Sequence, residues 1–189
     1  MNKFKITIGL DAKGNLIEPN DAFKKVECYC PLCYESLNIQ SDKSGEKHFS
    51  HKGLSKCERE DVLKQAAKLL IFKAVIERKF DSKKQIMIKQ SGCSDDEKLP
   101  YVLPEGINNA KIDVQLEENN IYDICLYKDD VPAVAIDISM KNDVKDKVCN
   151  SSIPYINLNA VDIIESHLHW FPINENIFGN EPSFLCDIV

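Results

Sequence analysis

A short segment near the N-terminus carries two cysteines and two histidines in closely spaced pairs. Two residues separate Cys30 from Cys33, and two separate His48 from His51. Two thiolates and two imidazoles are the ligand inventory of a closed tetrahedral zinc site, and a two-residue gap lets a tight turn direct both members of a pair at one ion. The pattern predicts structural zinc bound by Cys30, Cys33, His48 and His51.

The second half of this pattern differs from the common zinc finger, whose histidines lie three to five residues apart. The spacing favours a ribbon-like or treble-like knuckle over a DNA-reading finger, with Phe49 in its small core. Cys28 and Cys57 flank the four residues closely enough to be substitute ligands. The alternative interpretation is a reduced surface thiol pair with two ordinary histidines.

A second group of candidate residues lies in the C-terminal half. Asp123 and Asp137 fall on two strand-like stretches joined by a turn at Asp129-Asp130. A metal-dependent phosphodiesterase needs two carboxylates that hold Mg²⁺ and, usually, a lysine that stabilises the developing charge. The hairpin would bring both carboxylates to the same end of a sheet. Two aspartates on a solvated sheet edge are the alternative interpretation.

The elements that position these residues follow from hydrophobic spacing. Apolar residues recur at three and four over residues 58–79, without Gly or Pro, which predicts a long helix. Alternating stretches predict strands at 111–116, 121–127, 131–140 and 153–158, with a possible helix at 141–150. The order of helix, three antiparallel strands, helix and strand indicates an α/β fold with a mixed sheet.

Composition narrows the class of protein. A chain of 189 residues with 43% hydrophobic and 29% charged residues can bury one core together with a small metal-held module. No apolar run approaches the roughly 20 residues that cross a bilayer, and no signal peptide is recognisable, so we expect a cytoplasmic protein without membrane association. The net charge of −6 argues against a protein that coats nucleic acid but leaves a nuclease open.

The motifs together resemble the competence protein CoiA family. Its CPxC and HFxH motifs are similar to Cys30-Pro31-Leu32-Cys33 and His48-Phe49-Ser50-His51, and its catalytic hairpin is similar to Ile121-Tyr122-Asp123-Ile124 and Ala135-Ile136-Asp137-Ile138. The resemblance implies a zinc-ribbon-like module at 1–57. It also implies a restriction-endonuclease-like PD-(D/E)xK nuclease domain at 58–189, with a mixed sheet flanked by helices. DNA would be the substrate, with Mg²⁺ or Mn²⁺ held by Asp123 and Asp137.

The chain departs from that family at the motif lysine, where it has Ser139. Serine supplies no cation, so Lys68 on the helix, Lys141 after the strand and Lys147 are candidate replacements. Glu60 or Glu117 would assist as a further metal ligand. The alternative function is a catalytically inactive module that binds nucleic acid or a protein partner, or forms a homodimer, in competence, defence or a mobile element.

Overall fold

A computed structural model describes residues 6–22, 27–53, 55, 57–81, 84–89, 101–117, 120–140 and 153–176. The chain forms two compact units, residues 1–66 and 67–189. The sequence prediction placed the division between residues 57 and 58, ahead of the long helix. Over the described residues the protein is a mixed α/β structure, mostly sheet, with two helices.

The first unit contains one five-stranded sheet in the order β2-β1-β3-β4-β5. Its strands are β1 (Gly9–Leu10), β2 (Leu16–Ile17), β3 (Cys28–Tyr29), β4 (Ser36–Ser41) and β5 (Lys47–His51). Paired backbone hydrogen bonds between Ile6 and Phe49 also join the segment before β1 to the edge strand β5. Phe49 is fully buried, as expected from the sequence, and forms the centre of the small core with Ile6, Leu10 and Leu37.

The helix α1 (Arg59–Arg78) agrees with the predicted span 58–79. It lies across the division between the units. Its apolar residues at three-and-four spacing are buried, among them Val62, Ala67 and Val75. Burial of one apolar stripe, rather than intrinsic helix propensity, provides most of a helix's stability in a folded protein.

The second unit is built around a five-stranded sheet in the order β13-β11-β10-β9-β8. Its strands are β8 (Ile107–Glu117), β9 (Asn120–Lys128), β10 (Val131–Ser139), β11 (Tyr155–Asn159) and β13 (Pro172–Asn176). β8, β9 and β10 form an antiparallel meander, β11 is parallel to β10, and β13 is antiparallel to β11. The predicted mixed strand directions are therefore present. The possible helix at 141–150 lies outside the described residues.

Smaller elements complete the second unit. The short strands β6 (Met87–Ile88), β7 (Tyr101–Val102) and β12 (His169–Trp170) form a three-stranded sheet, and α2 (Ala160–Glu165) follows β11 directly. Asn159 caps α2 because its side-chain oxygen accepts hydrogen bonds from the Val161 and Asp162 amides. In the described part of the chain, neither helix has the length and apolar character needed to cross a membrane.

Candidate functional sites

The cysteine knuckle connects β3 to β4. The Cys30 amide donates to the Glu35 carbonyl and the Tyr34 amide donates to the Cys30 carbonyl, both at 2.9 Å. Tyr34 has a φ of 58°, a left-handed conformation that reverses the chain after Cys33. This turn brings the two thiols to one side of the loop, and Cys30 is fully buried there.

Four side chains converge at the knuckle. The ligand atoms of Cys30, Cys33, His51 and Cys57 all lie within 4.8 Å of one another, and Cys33 Sγ is 3.4 Å from His51 Nε2. Tetrahedral zinc, with bonds of about 2.0–2.3 Å, requires ligand atoms about 3.3–3.8 Å apart, so a small contraction would close this group around an ion. These four residues could hold a metal such as zinc.

The structure does not bring His48 into this group and brings Cys57 instead. His48 and His51 are three residues apart on β5, and alternating side chains place them on opposite faces of the strand. The expected ligand set assumed a tight turn at the histidines, whereas this segment is extended. His48 Nδ1 is buried without a hydrogen-bond partner in the described structure.

The surroundings of the four ligands affect their ionisation. Burial raises the pKa of the Cys30 thiol to about 12. Burial also opposes ionisation of Cys33, but hydrogen bonds from the Glu35 amide and the Ser55 hydroxyl outweigh it and lower the pKa of that thiol. Ser55 Oγ lies 3.1 Å from Cys57 Sγ and 3.6 Å from Cys33 Sγ. Since a cysteine binds zinc only as the thiolate, a bound ion would release a proton from Cys30.

The second candidate site is a row of polar residues across the sheet of the second unit. Asp113 faces Asp123 across β8 and β9, because the register pairs Ile112 with Ile124 and Val114 with Tyr122 on either side. The β9–β10 ladder ends at the pair Ile124–Ile136, and Asp123 and Asp137 are the next residues on the two strands. Three aspartates therefore lie at one level of three adjacent strands.

The row continues beyond the aspartates. Asp137 is paired in register with Asn157 on β11. Residues paired across a sheet point to the same face. The four positions Asp113, Asp123, Asp137 and Asn157 form one line across β8 to β11, which we call the polar row.

The carboxylates of Asp123 and Asp137 connect β9 and β10 by hydrogen bonds to backbone amides at the point where the ladder ends. Asp123 Oδ2 accepts a 2.7 Å hydrogen bond from the Ile138 amide, and Asp137 Oδ1 accepts one of 3.3 Å from the Asp123 amide. The Tyr155 hydroxyl donates to Asp137 Oδ2 at 3.4 Å. Asp137 is only 7% exposed.

Lys68 provides the positive charge next to the row. Its ammonium lies 2.6 Å from Asp113 Oδ1 and 2.6 Å from Asp123 Oδ1, and its side chain is 12% exposed. Burial alone would lower the pKa of Lys68, but hydrogen bonds to the two aspartates outweigh burial and raise it. The lysine therefore remains charged at neutral pH.

The other predicted residues lie in different settings. Ser139 is buried and paired in register with Asn159, two positions beyond Asp137. Glu60 is exposed in the first turn of α1, within the first unit. Glu117 ends β8, four residues beyond Asp113, at the β8–β9 connection. Lys141 and Lys147 lie outside the described residues.

Asp113 and Asn157 are residues of the row that sequence reasoning missed. Each lies between aliphatic residues in a strand, Ile112 and Val114 in one case and Ile156 and Leu158 in the other. A single polar residue within an apolar strand is the feature of the sequence that could have identified these two positions. Asp113 also has a φ of 54°, which is unusual within a strand and is tolerated by aspartate better than by most residues.

Comparisons of this chain with protein-family models, curated proteins and solved structures find no match.

Proposed function

We propose that the second unit is a metal-dependent nuclease that hydrolyses phosphodiester bonds in DNA, of the PD-(D/E)xK type implied by the resemblance to the CoiA family. The observation that carries this proposal is the line of Asp113, Asp123 and Asp137 across three strands, with the partly buried ammonium of Lys68 in contact with two of them. Burial alone would lower the pKa of Lys68, but its hydrogen bonds to Asp113 and Asp123 raise it, and groups with a shifted pKa are typical of functional sites.

The order of elements supports the same proposal. A helix, an antiparallel three-stranded meander and a fourth strand parallel to the third occur in the sequence order expected for a restriction-endonuclease-like domain. Asp123 lies on the second strand of the meander and Asp137 on the third. These are the strands on which the family resemblance places the two acids.

The donor set suits a hard divalent cation. Asp123 and Asp137 are adjacent carboxylates, one partly exposed and one buried, and Mg²⁺ is usually held by one or two carboxylates with water and phosphate oxygens completing its shell. Asp123 and Asp137 would hold Mg²⁺ or Mn²⁺. Such an ion polarises a phosphoryl group and lowers the pKa of bound water.

Lys68 is the residue that replaces the absent motif lysine. Ser139 has no charge to offer, whereas the Lys68 ammonium is hydrogen-bonded to Asp123 and is held there by Asp113. A fixed, charged donor in a poorly solvated site stabilises negative charge that develops on a phosphate without reorganisation cost. Lys68 therefore binds and stabilises the scissile phosphate.

The first unit has a structural role in this proposal. Closed four-ligand Cys/His sites bind zinc tightly and contribute the binding free energy to folding. The small sheet has a limited core centred on Phe49, so a zinc ion at Cys30, Cys33, His51 and Cys57 would stabilise it.

One observation favours the alternative of a non-catalytic binding module. Lys68 already compensates two of the three aspartates, as a structural ion pair would in a site that has lost its cation. In that case the unit would retain the fold and bind nucleic acid or a protein without hydrolysis.

Thermal unfolding with Mg²⁺ or Mn²⁺ tests the cation site. A ligand of the native state at 100 times its Kd stabilises the protein by about 2.7 kcal/mol, so the melting temperature of the second unit should rise. Asp137→Asn should abolish the rise. Asp129→Asn is the matched control, because Asp129 is exposed in the β9–β10 turn of the same hairpin. An equal rise in Asp137→Asn, or no rise in the wild type, would contradict the proposed site.

A further inference from the structure

Asn157 is a buried amide in the middle of β11. Its residue is only 3% exposed, and its side-chain oxygen has no hydrogen-bond partner in the described structure. A buried acceptor without a partner loses its hydrogen bond to water and gains none in return, which destabilises the fold. Because buried polar groups are nearly always paired, this oxygen points to a partner that binds there.

The position of Asn157 identifies the kind of partner. Asn157 is paired in register with Asp137, and neighbouring strands lie about 4.8 Å apart, so the amide is next to this carboxylate on the same face. The carboxylates of Asp137 and Asp123 are acceptors like the amide oxygen. A group of acceptors on one face requires either hydrogen-bond donors or a cation.

The two side-chain donors that contact the aspartates of the row are already engaged. The Tyr155 hydroxyl donates to Asp137, and the Lys68 ammonium contacts Asp113 and Asp123, towards the other end of the row. An amide oxygen beside carboxylates is a normal donor set for Mg²⁺, Mn²⁺ or Ca²⁺, which prefer hard oxygen ligands.

We propose that Asn157 Oδ1 is the third protein ligand of a divalent cation held by Asp123 and Asp137. This inference rests on the proposed function and adds a ligand from a strand outside the catalytic hairpin. The cation thus lies on the Asp137 side of the row, and Lys68 occupies the Asp113 side. Its ligand shell contains two carboxylates and one neutral oxygen, with water or phosphate oxygens in the remaining positions.

Manganese binding to the full, zinc-containing chain tests this ligand, with free Mn²⁺ followed by electron paramagnetic resonance. Asn157→Leu keeps the approximate volume and removes the oxygen, and it should weaken Mn²⁺ binding at least about tenfold. Asn157→Asp keeps an oxygen ligand and should bind Mn²⁺ as tightly as the wild type or more tightly. Ile156→Val is the control for packing changes in β11, because Ile156 is a buried neighbour on the opposite face, and it should leave binding unchanged.

Stability provides a second readout if Asn157→Leu folds poorly. Asn157→Asp adds a buried carboxylate to an acidic row, so it should lower the melting temperature without metal, and Mn²⁺ should restore it. Equal Mn²⁺ affinity in the wild type and Asn157→Leu would overturn the role of Asn157 while leaving the two-aspartate site intact. A wild type that binds no Mn²⁺ would overturn both this inference and the proposed nuclease site.

Discussion

Side-chain direction, more than spacing along the chain, decides which residues of the first unit can share an ion. His48 and His51 both lie close to the cysteines in sequence, but they lie on opposite faces of β5 and only His51 joins the knuckle. Cys57 joins it from the segment that leads into α1. The sequence motif therefore identifies three of the four residues, and the fourth depends on a backbone geometry that the motif does not specify.

The zinc ligand set can be tested by single substitutions. The wild-type protein should contain about one equivalent of zinc, as expected for a closed four-ligand site. Cys57→Ser should lose this zinc, because a hydroxyl is a much poorer zinc ligand than a thiolate. His48→Asn should retain the metal. Elemental analysis of protein purified without added metal measures both. Zinc retained by Cys57→Ser and lost by His48→Asn would restore the ligand set expected from sequence.

The ion pairs of Lys68 define a second prediction at this scale. If the ammonium stabilises the scissile phosphate, Lys68→Met should lower kcat for DNA cleavage by about 100-fold or more, as removal of a preorganised charge or donor usually does. Lys73→Met is the control, because Lys73 lies on the same helix in an exposed pair with Glu77. Equal kcat in the wild type and Lys68→Met would exclude Lys68 as the replacement lysine.

At the level of elements, hydrophobic periodicity predicts the long helix and the long strands of the hairpin, but it does not predict very short strands. Apolar spacing located α1 to within one residue at each end, and β9 and β10 to similar precision. The two-residue strands β7 and β12 pair across long stretches of sequence, so no local pattern identifies them. The alternating residue types in β10 also do not distinguish a buried face from a solvent-exposed face, because both faces of that strand are buried.

Candidate-site prediction from sequence had a similar limit. The pair Asp123 and Asp137 could be found because a short hairpin fixes which residues face each other. Asp113 and Asn157 required the register of β8 with β9 and of β10 with β11, which forms only on folding. Lys68 was one of three candidates, and the contact that distinguishes it is tertiary.

Packing in the first sheet gives a prediction for an element. A Cβ atom at Gly9 would lie 3.1 Å from the Phe49 ring and 3.2 Å from Leu37, and both side chains are buried. Gly9→Ala should therefore lower the free energy of unfolding by about 1–3 kcal/mol, the usual cost of overpacking. Gly53→Ala is the matched control, since its nearest contact would be an ordinary 3.5 Å. Chemical denaturation of zinc-loaded protein measures both, and equal effects would contradict the packing argument.

At the level of the whole molecule, the described parts of the two units differ in their buried cores. The second unit has a five-stranded sheet and a fully buried Trp170, whereas the first has a small core and a Cys/His group that could hold a metal. The chain also carries a net charge of −6, so bound cations would assist any approach of a nucleic acid to the polar row.

Metal removal should affect the two units differently. A strong zinc chelator such as phenanthroline should expose the backbone amides of β3 to β5, because thiolate and imidazole ligation would no longer oppose unfolding there. The amides of β8 to β11 should remain protected. Amide hydrogen exchange resolved by mass spectrometry distinguishes the two regions. Unchanged protection of β3 to β5 after complete loss of zinc would contradict a structural role for the ion.

We propose that the polar row hydrolyses DNA with a divalent cation. The most direct measurement is cleavage of single-stranded and double-stranded DNA by purified protein with Mn²⁺, compared with Asp137→Ala and with the turn control Asp129→Asn. We expect cleavage by the wild type and Asp129→Asn that requires the metal and is lost in Asp137→Ala. No cleavage of either DNA form by the wild type, or equal cleavage by Asp137→Ala, would contradict the claim.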